Sequence, residues 1–109
     1  MYAELTIDQG ATFSSVITLT DDDNSAINVA NSTFESQIRK SYYSTYPTAN
    51  LVVSIEGSAA NGQVRLFLDA ANTANIKAGR YLYDLKRTAN NVTTRILEGI
   101  VTVTPQVTK

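Results

Sequence analysis

The stretch from Gly79 to Pro105 alternates so regularly that a long antiparallel hairpin is the structure it specifies. In its first arm Tyr81, Tyr83 and Leu85 share one face, and Arg80, Leu82, Asp84 and Lys86 share the other. The turn region is Thr88–Asn91, and the second arm runs from Val92 to Thr104, where Pro105 stops it. Side chains alternate across a strand, and β-branched and aromatic residues fit a pleated, half-buried surface. In the second arm Leu97, Val101 and Val103 continue one face, while Ile96 and Ile100 occupy the other. Such a strand is either buried on both sides or bent by a bulge at Gly99. Close approach of another backbone is the second reason for a glycine there. Tyr81, Tyr83, Leu85, Val101 and Val103 are expected in the core.

The rest of the chain repeats the pattern in shorter pieces. Leu5 and Ile7 open a strand that Asp8-Gln-Gly10 ends. Phe13, Ile17 and Leu19 are in phase along Thr12–Thr20, and Ile27 and Val29 suggest a brief strand. Phe34, Ser36 and Ile38 face one way, with Glu35, Gln37 and Arg39 opposite. Leu51, Val53 and Ile55 lead to Asn61-Gly62, a hairpin signal because both residues tolerate positive φ. Val64, Leu66 and Leu68 form the return arm. Asp69 is placed to cap one short helix, Ile76 to point inward and Gly79 to end it. The expected fold is therefore all-β: a single immunoglobulin-like β-sandwich over 1–109, with about seven short strands and one short helical turn near 70–77. A small barrel is the alternative.

Composition removes several kinds of function. The chain has no cysteine and no histidine. It therefore lacks a disulfide framework, a thiolate nucleophile or ligand, and the commonest general base and zinc ligand. Net charge is −1, from 9 Lys and Arg against 10 Asp and Glu, and the only adjacent basic pairs are Arg39-Lys40 and Lys86-Arg87. Nucleic-acid binding asks for a concentrated basic patch, so no nucleic-acid partner is expected. Nothing approaches the ~18 apolar residues of a membrane span, and no basic-apolar leader opens the sequence. No membrane partner and no secretion-pathway processing are expected. Glu35, Glu56, Asp69, Asp84 and Glu98 fall on different predicted elements. Outward positions on a sheet are the ordinary place for such residues. No enzyme activity, cofactor or metal is expected.

Two loops carry candidate sites. Asp21-Asp-Asp23, followed by Asn24 and Ser25, offers oxygen ligands for calcium, but it lacks the glycine and distal glutamate of an EF-hand loop. A solvated hairpin turn competes with that reading. Tyr42, Tyr43 and Tyr46 lie beside Pro47 and just after Arg39. Tyrosine and arginine are enriched in interfaces, where tyrosine gives large contact area at low entropic cost. These rings either form a protein-contact loop, with Arg39 as an anchor, or fold back over the open end of the sandwich.

The runs Ile7-Asp-Gln-Gly-Ala-Thr-Phe13, Leu19-Thr-Asp-Asp-Asp23 and Phe34-Glu-Ser-Gln-Ile-Arg-Lys40 resemble small virion proteins of tailed bacteriophages, as found in marine and cyanobacterial phages. Gly79-Arg-Tyr-Leu-Tyr-Asp-Leu85 and Arg95-Ile-Leu-Glu-Gly-Ile-Val-Thr-Val-Thr-Pro105 strengthen the likeness. The layout is similar to the immunoglobulin-like N-terminal domain of phage baseplate upper proteins. The resemblance implies a non-enzymatic structural subunit of the virion, assembled in the host cytoplasm. Its partners would be other phage structural proteins, in multiple copies within a symmetric assembly. Baseplate upper proteins continue into a long further region, so a chain stopping soon after Pro105 is expected to act as a free-standing adaptor or decoration protein, in the first place as an adaptor or attachment piece of the tail or baseplate. A capsid cement or decoration protein is the alternative within the virion. A carbohydrate-binding sandwich, its tyrosines stacking on sugar rings, is the alternative of another class.

Overall fold

A computed structural model of the chain describes residues 1–21 and 23–107. The seven strands are β1 (Leu5–Asp8), β2 (Phe13–Thr18), β3 (Thr33–Arg39), β4 (Ala49–Ile55), β5 (Gln63–Leu68), β6 (Gly79–Ala89) and β7 (Val92–Thr104). A 3₁₀ turn spans Ala59–Asn61, and the short helix α1 spans Ala70–Ala74. Hydrogen bonding links the strands in the order β1-β7-β6-β3-β4-β5-β2. β4 belongs to both halves: Ala49–Leu51 pair with β3, and Val52–Ile55 pair with β5. The sheet folds over at that strand and encloses one core.

This all-β arrangement sets β2, β5 and the second half of β4 against β3, β6 and β7, the division of an immunoglobulin-type sandwich. β1 lies parallel to β7 at one end of the order, and at the other β2 pairs, among the described residues, only with β5. The sheet is open between β1 and β2, unlike a closed barrel. Ile7, Leu19, Val29, Ile38, Val64, Leu66, Leu85 and Val101 are fully buried, and Tyr81 and Tyr83 join them. Interiors are close-packed, so truncating Leu66 or Leu85 to alanine costs about 2–5 kcal/mol.

The two core tyrosines keep their hydroxyls satisfied. Tyr81, near the start of β6, donates to the Lys77 carbonyl four residues upstream at 2.6 Å. That is the tyrosine corner of immunoglobulin-type sandwiches. Tyr83 donates to the Ala3 carbonyl, also at 2.6 Å. The β6–β7 hairpin closes through Asn90 and Asn91, both at positive φ (53° and 64°), a two-residue turn that matches strand twist.

The structure differs from the sequence-based expectation at four points. Ile27–Val29 is no strand, because its donors go to different neighbours: Ile27 N–H to the Leu19 carbonyl and Val29 N–H to the Ala59 carbonyl. Asn61-Gly62 is not a tight hairpin turn; Asn61 ends the 3₁₀ turn, and Gly62 alone has positive φ (68°). Asp69 caps α1 as expected, accepting from Asn72 N–H at 2.8 Å, but the helix ends at Asn75, well before Gly79. The register irregularity of β7 falls between Leu85 and Lys86 of its partner, where pairing jumps from Leu97 to Arg95 and skips Ile96. Gly99 stays in register opposite Tyr83, and its glycine answers to a close approach instead. A side chain there would strike the Ala3 carbonyl.

Candidate interaction site

β3 ends at Arg39, and the chain crosses to β4 through the loop 40–48, which Pro47 keeps from pairing as a strand. Ser41 and Ser44 form its tight turn: Ser41 N–H donates to Ser44 Oγ (3.1 Å), and Tyr43 N–H donates to Ser41 Oγ (3.3 Å). Thr48 N–H returns to the Ile38 carbonyl at 2.7 Å and closes the loop. Arg39 braces it from within, donating to the Ser44 carbonyl at 2.6 Å and to Gln37 Oε1 at 2.9 Å. Lys40 donates to the Arg80 carbonyl, with its ammonium 4.7 Å from the centre of the Tyr81 ring. Both ends of the loop are thus tied to the sandwich.

The tyrosines project from this fixed base. Tyr43 is 95% exposed, Tyr46 81% and Tyr42 70%. Tyr43 and Tyr46 stand clear of the sandwich. Tyr42 leans back over the outer face of β6 and forms one wall of a shallow concavity of about 280 Å³. Arg39 joins the three tyrosines in one loop, but its guanidinium is spent on holding that loop. Its role in this geometry is positioning.

The outer face beside Tyr42 is laid out in rungs by the strand register. Leu82 faces Ile100, Asp84 faces Glu98, and Lys86 faces Arg95. Arg95 Nε lies 3.6 Å from Glu98, and Glu35 and Gln37 on β3 complete the surface. Two carboxylates directly opposite each other repel, and the flanking cations offset this. The face thus steps from an apolar rung to an acidic one and then to a basic one, suited to contact with a polar surface. Tyr2, 58% exposed, extends the aromatic surface from the segment that pairs with Glu98. Partial desolvation and its bond to Glu4 raise the Tyr2 hydroxyl above its ordinary pKa, with a smaller contribution from nearby Tyr42.

Sequence reading missed Tyr2 and the Leu82–Ile100 rung, although the outward phase of two large apolar residues was a signal for the latter. The other candidate loop is a structured turn. Asp21 Oδ1 accepts from Asp23 N–H (2.9 Å) and Ser25 N–H (3.0 Å), and Asn24 takes positive φ. Asp22 lies outside the described residues. Among the described residues no group of three or more acidic side chains is placed to hold a metal ion. No helix among them is long and apolar enough to cross a membrane. On the opposite face of the sandwich, Arg65 bonds Glu56 through Nε at 2.9 Å and also donates to Ser14 Oγ. The hydrogen bond and charge of Arg65 hold the Glu56 carboxyl below its ordinary pKa.

No protein-family model matches the chain, and no curated protein does. Among 107 matching chains of solved structures is the crystal structure of Listeria monocytogenes InlP, at 14% identity and a TM-score of 0.51. The match covers 94% of this chain and 26% of that one, so the chain spans about a quarter of the length of InlP. At this identity the likeness is one of fold.

Proposed function

We propose that the chain is a non-enzymatic structural subunit of a tailed-phage particle, an adaptor or attachment piece of the tail or baseplate that works through protein–protein contacts. The observation that carries the contact role is the loop geometry. Arg39, Ser41 and Ser44 hold the backbone, while Tyr43 and Tyr46 present nearly their whole side chains to solvent. A braced loop loses little freedom on binding, so the contact area of its rings is retained as affinity. Many such contacts around a symmetric particle multiply into durable attachment. The viral assignment rests on the sequence resemblance, and the immunoglobulin-type fold is compatible with it.

The test is incorporation. Particles assembled with Tyr43→Ala plus Tyr46→Ala should contain much less of the protein than wild-type particles. Wild-type occupancy would overturn the reading. Copy number separates tail from head, since a few to dozens per particle fit the tail and hundreds fit a capsid cement protein. Capsid, tail or baseplate genes beside this one would support the viral assignment.

A further inference from the structure

The strand order ends at β1 on one side and β2 on the other. A sheet's end strand presents a row of backbone N–H and C=O groups with only water to satisfy them. Folded proteins usually guard such edges with charges, proline or bulges. β1 carries Glu4 beside it and Asp8 within it. β2, Phe13-Ser-Ser-Val-Ile-Thr18, has no charge and no proline. Its register with β5 runs unbroken from Phe13–Leu68 to Thr18–Gln63, so no bulge twists it away. A cleft of about 350 Å³, between Glu4, Thr6 and Asp8 on one side and Phe13–Ser15 on the other, leaves this edge open.

The side chains of β2 are also incompletely covered. Val16 points outward and is 42% exposed. Ile17 points inward opposite fully buried Val64, yet is itself only half-buried, because among the described residues no strand flanks it on the side away from β5. We propose that β2 pairs edge to edge with β2 of a second copy, antiparallel about a two-fold axis at Val16. Opposed residues in an antiparallel pair must point to the same side, which restricts the register. Centring on Val16 places Val16 opposite its own copy, Ser14 opposite Thr18, and Ser15 opposite Ile17. Each inward residue meets an inward one, two β-branched side chains meet at the centre, and no strand residue brings a charge to the contact. The nearby cation, Arg65, already faces Glu56. This self-complementarity argues for a second copy as the occupant, and the contact is isologous. The inference is independent of the viral assignment.

The absence of cysteine makes the test clean. In Val16→Cys the two introduced thiols would sit on directly opposed residues, about 4.5–5.5 Å apart at Cα, within disulfide range. With oxidised glutathione the variant should form a covalent dimer. Val52→Cys, more exposed than Val16 (58% against 42%) on the same outer face but two strands in from the edge, should cross-link at least about tenfold more slowly, since only pairing raises the effective thiol concentration. Sedimentation equilibrium of the wild-type chain should show a concentration-dependent dimer that Val16→Lys shifts to monomer, while the two proteins melt at the same temperature at concentrations low enough for the wild type to be monomeric. A wild-type chain that is monomeric at every concentration overturns the proposal. So does Val52→Cys cross-linking as fast as Val16→Cys.

Discussion

Tyr83 stands directly opposite Gly99 across β6 and β7, and its hydroxyl bonds the Ala3 carbonyl that lies over the glycine. The pairing locks the first residues of the chain to the middle of the long hairpin. Ala3 N–H donates to the Glu98 carbonyl at 3.1 Å, and Glu98 N–H donates to the Met1 carbonyl at 3.1 Å, both beside Gly99. A Cβ on residue 99 would lie 2.9 Å from the Ala3 carbonyl carbon and 3.1 Å from the Tyr83 ring. Gly99→Ala should therefore detach Met1–Ala3 and cost about 1–3 kcal/mol, the usual range for overpacking. Urea denaturation checks the cost. Hydrogen exchange should show the Ala3 and Glu98 amides losing protection while the Ile38 amide keeps it.

The same hydroxyl gives a second prediction. Tyr83→Phe keeps the ring but leaves the Ala3 carbonyl without its donor, which should destabilise by about 1–3 kcal/mol. Tyr81→Phe should cost a similar amount by freeing the Lys77 carbonyl. Neither change opens a cavity, so equilibrium denaturation should show a lower midpoint with an unchanged slope.

What could be read from the sequence was what depends on near neighbours or on period. The inward phase of Tyr81, Tyr83 and Leu85 follows from alternation alone, and the Asp69 cap and a turn within Thr88–Asn91 are each settled within a few residues, although Thr88 and Ala89 pair in β6 and leave the turn to Asn90 and Asn91. Gly99 was legible only as a choice between bulge and close approach, because Ala3 lies at the far end of the chain. Ile27–Val29 has the composition of a strand, but its partners Leu19 and Ala59 diverge, and composition carries no such information. At the candidate site, the clustering of Arg39, Tyr42, Tyr43 and Tyr46 was visible. Whether the rings would turn outward depended on Ser41, Ser44 and Arg39 fixing the loop, a three-dimensional outcome.

Thr73 is a polar residue whose importance has no signal in the sequence. It is fully buried in α1. Its Oγ1 accepts from Gly10 N–H at 3.1 Å and lies 2.8 Å from the Ala11 carbonyl, its acceptor. It therefore fastens the helix to the corner between β1 and β2. Thr73→Val preserves shape but leaves a buried donor and acceptor unpaired, and should cost about 1–3 kcal/mol. Thr73→Ser keeps the hydroxyl and should recover most of that. Thermal unfolding of the two variants distinguishes the hydrogen bonds from packing.

The exposed tyrosines should behave oppositely. Tyr43→Ala and Tyr46→Ala remove rings that stand in solvent, and surface substitutions of this kind usually stay within about 0.5 kcal/mol. Arg39→Ala should leave Tyr43 and Tyr46 in place chemically but release the Ser44 carbonyl and loosen the loop. Amide exchange at Ser41–Ser44 should quicken in Arg39→Ala and remain unchanged in Tyr46→Ala.

Alkaline pH supplies the last prediction. Burial pushes the Tyr83 hydroxyl up to about 12, with nearby Tyr2 adding a smaller share, whereas tyrosine in an unfolded chain titrates near 10. Below pH ~10 both states keep the proton, so this group gives stability no pH dependence. Between pH ~10 and ~12 the unfolded chain gives up its proton first, and the folded state is progressively disfavoured as pH rises. The denaturation midpoint should be flat with respect to Tyr83 up to about pH 10 and then fall. Tyr83→Phe cannot ionise there, so its midpoint should start lower at neutral pH and decline less steeply in alkali. Parallel slopes for the two proteins across that window would mean that Tyr83 ionises as readily folded as unfolded, and that burial does not hold its proton.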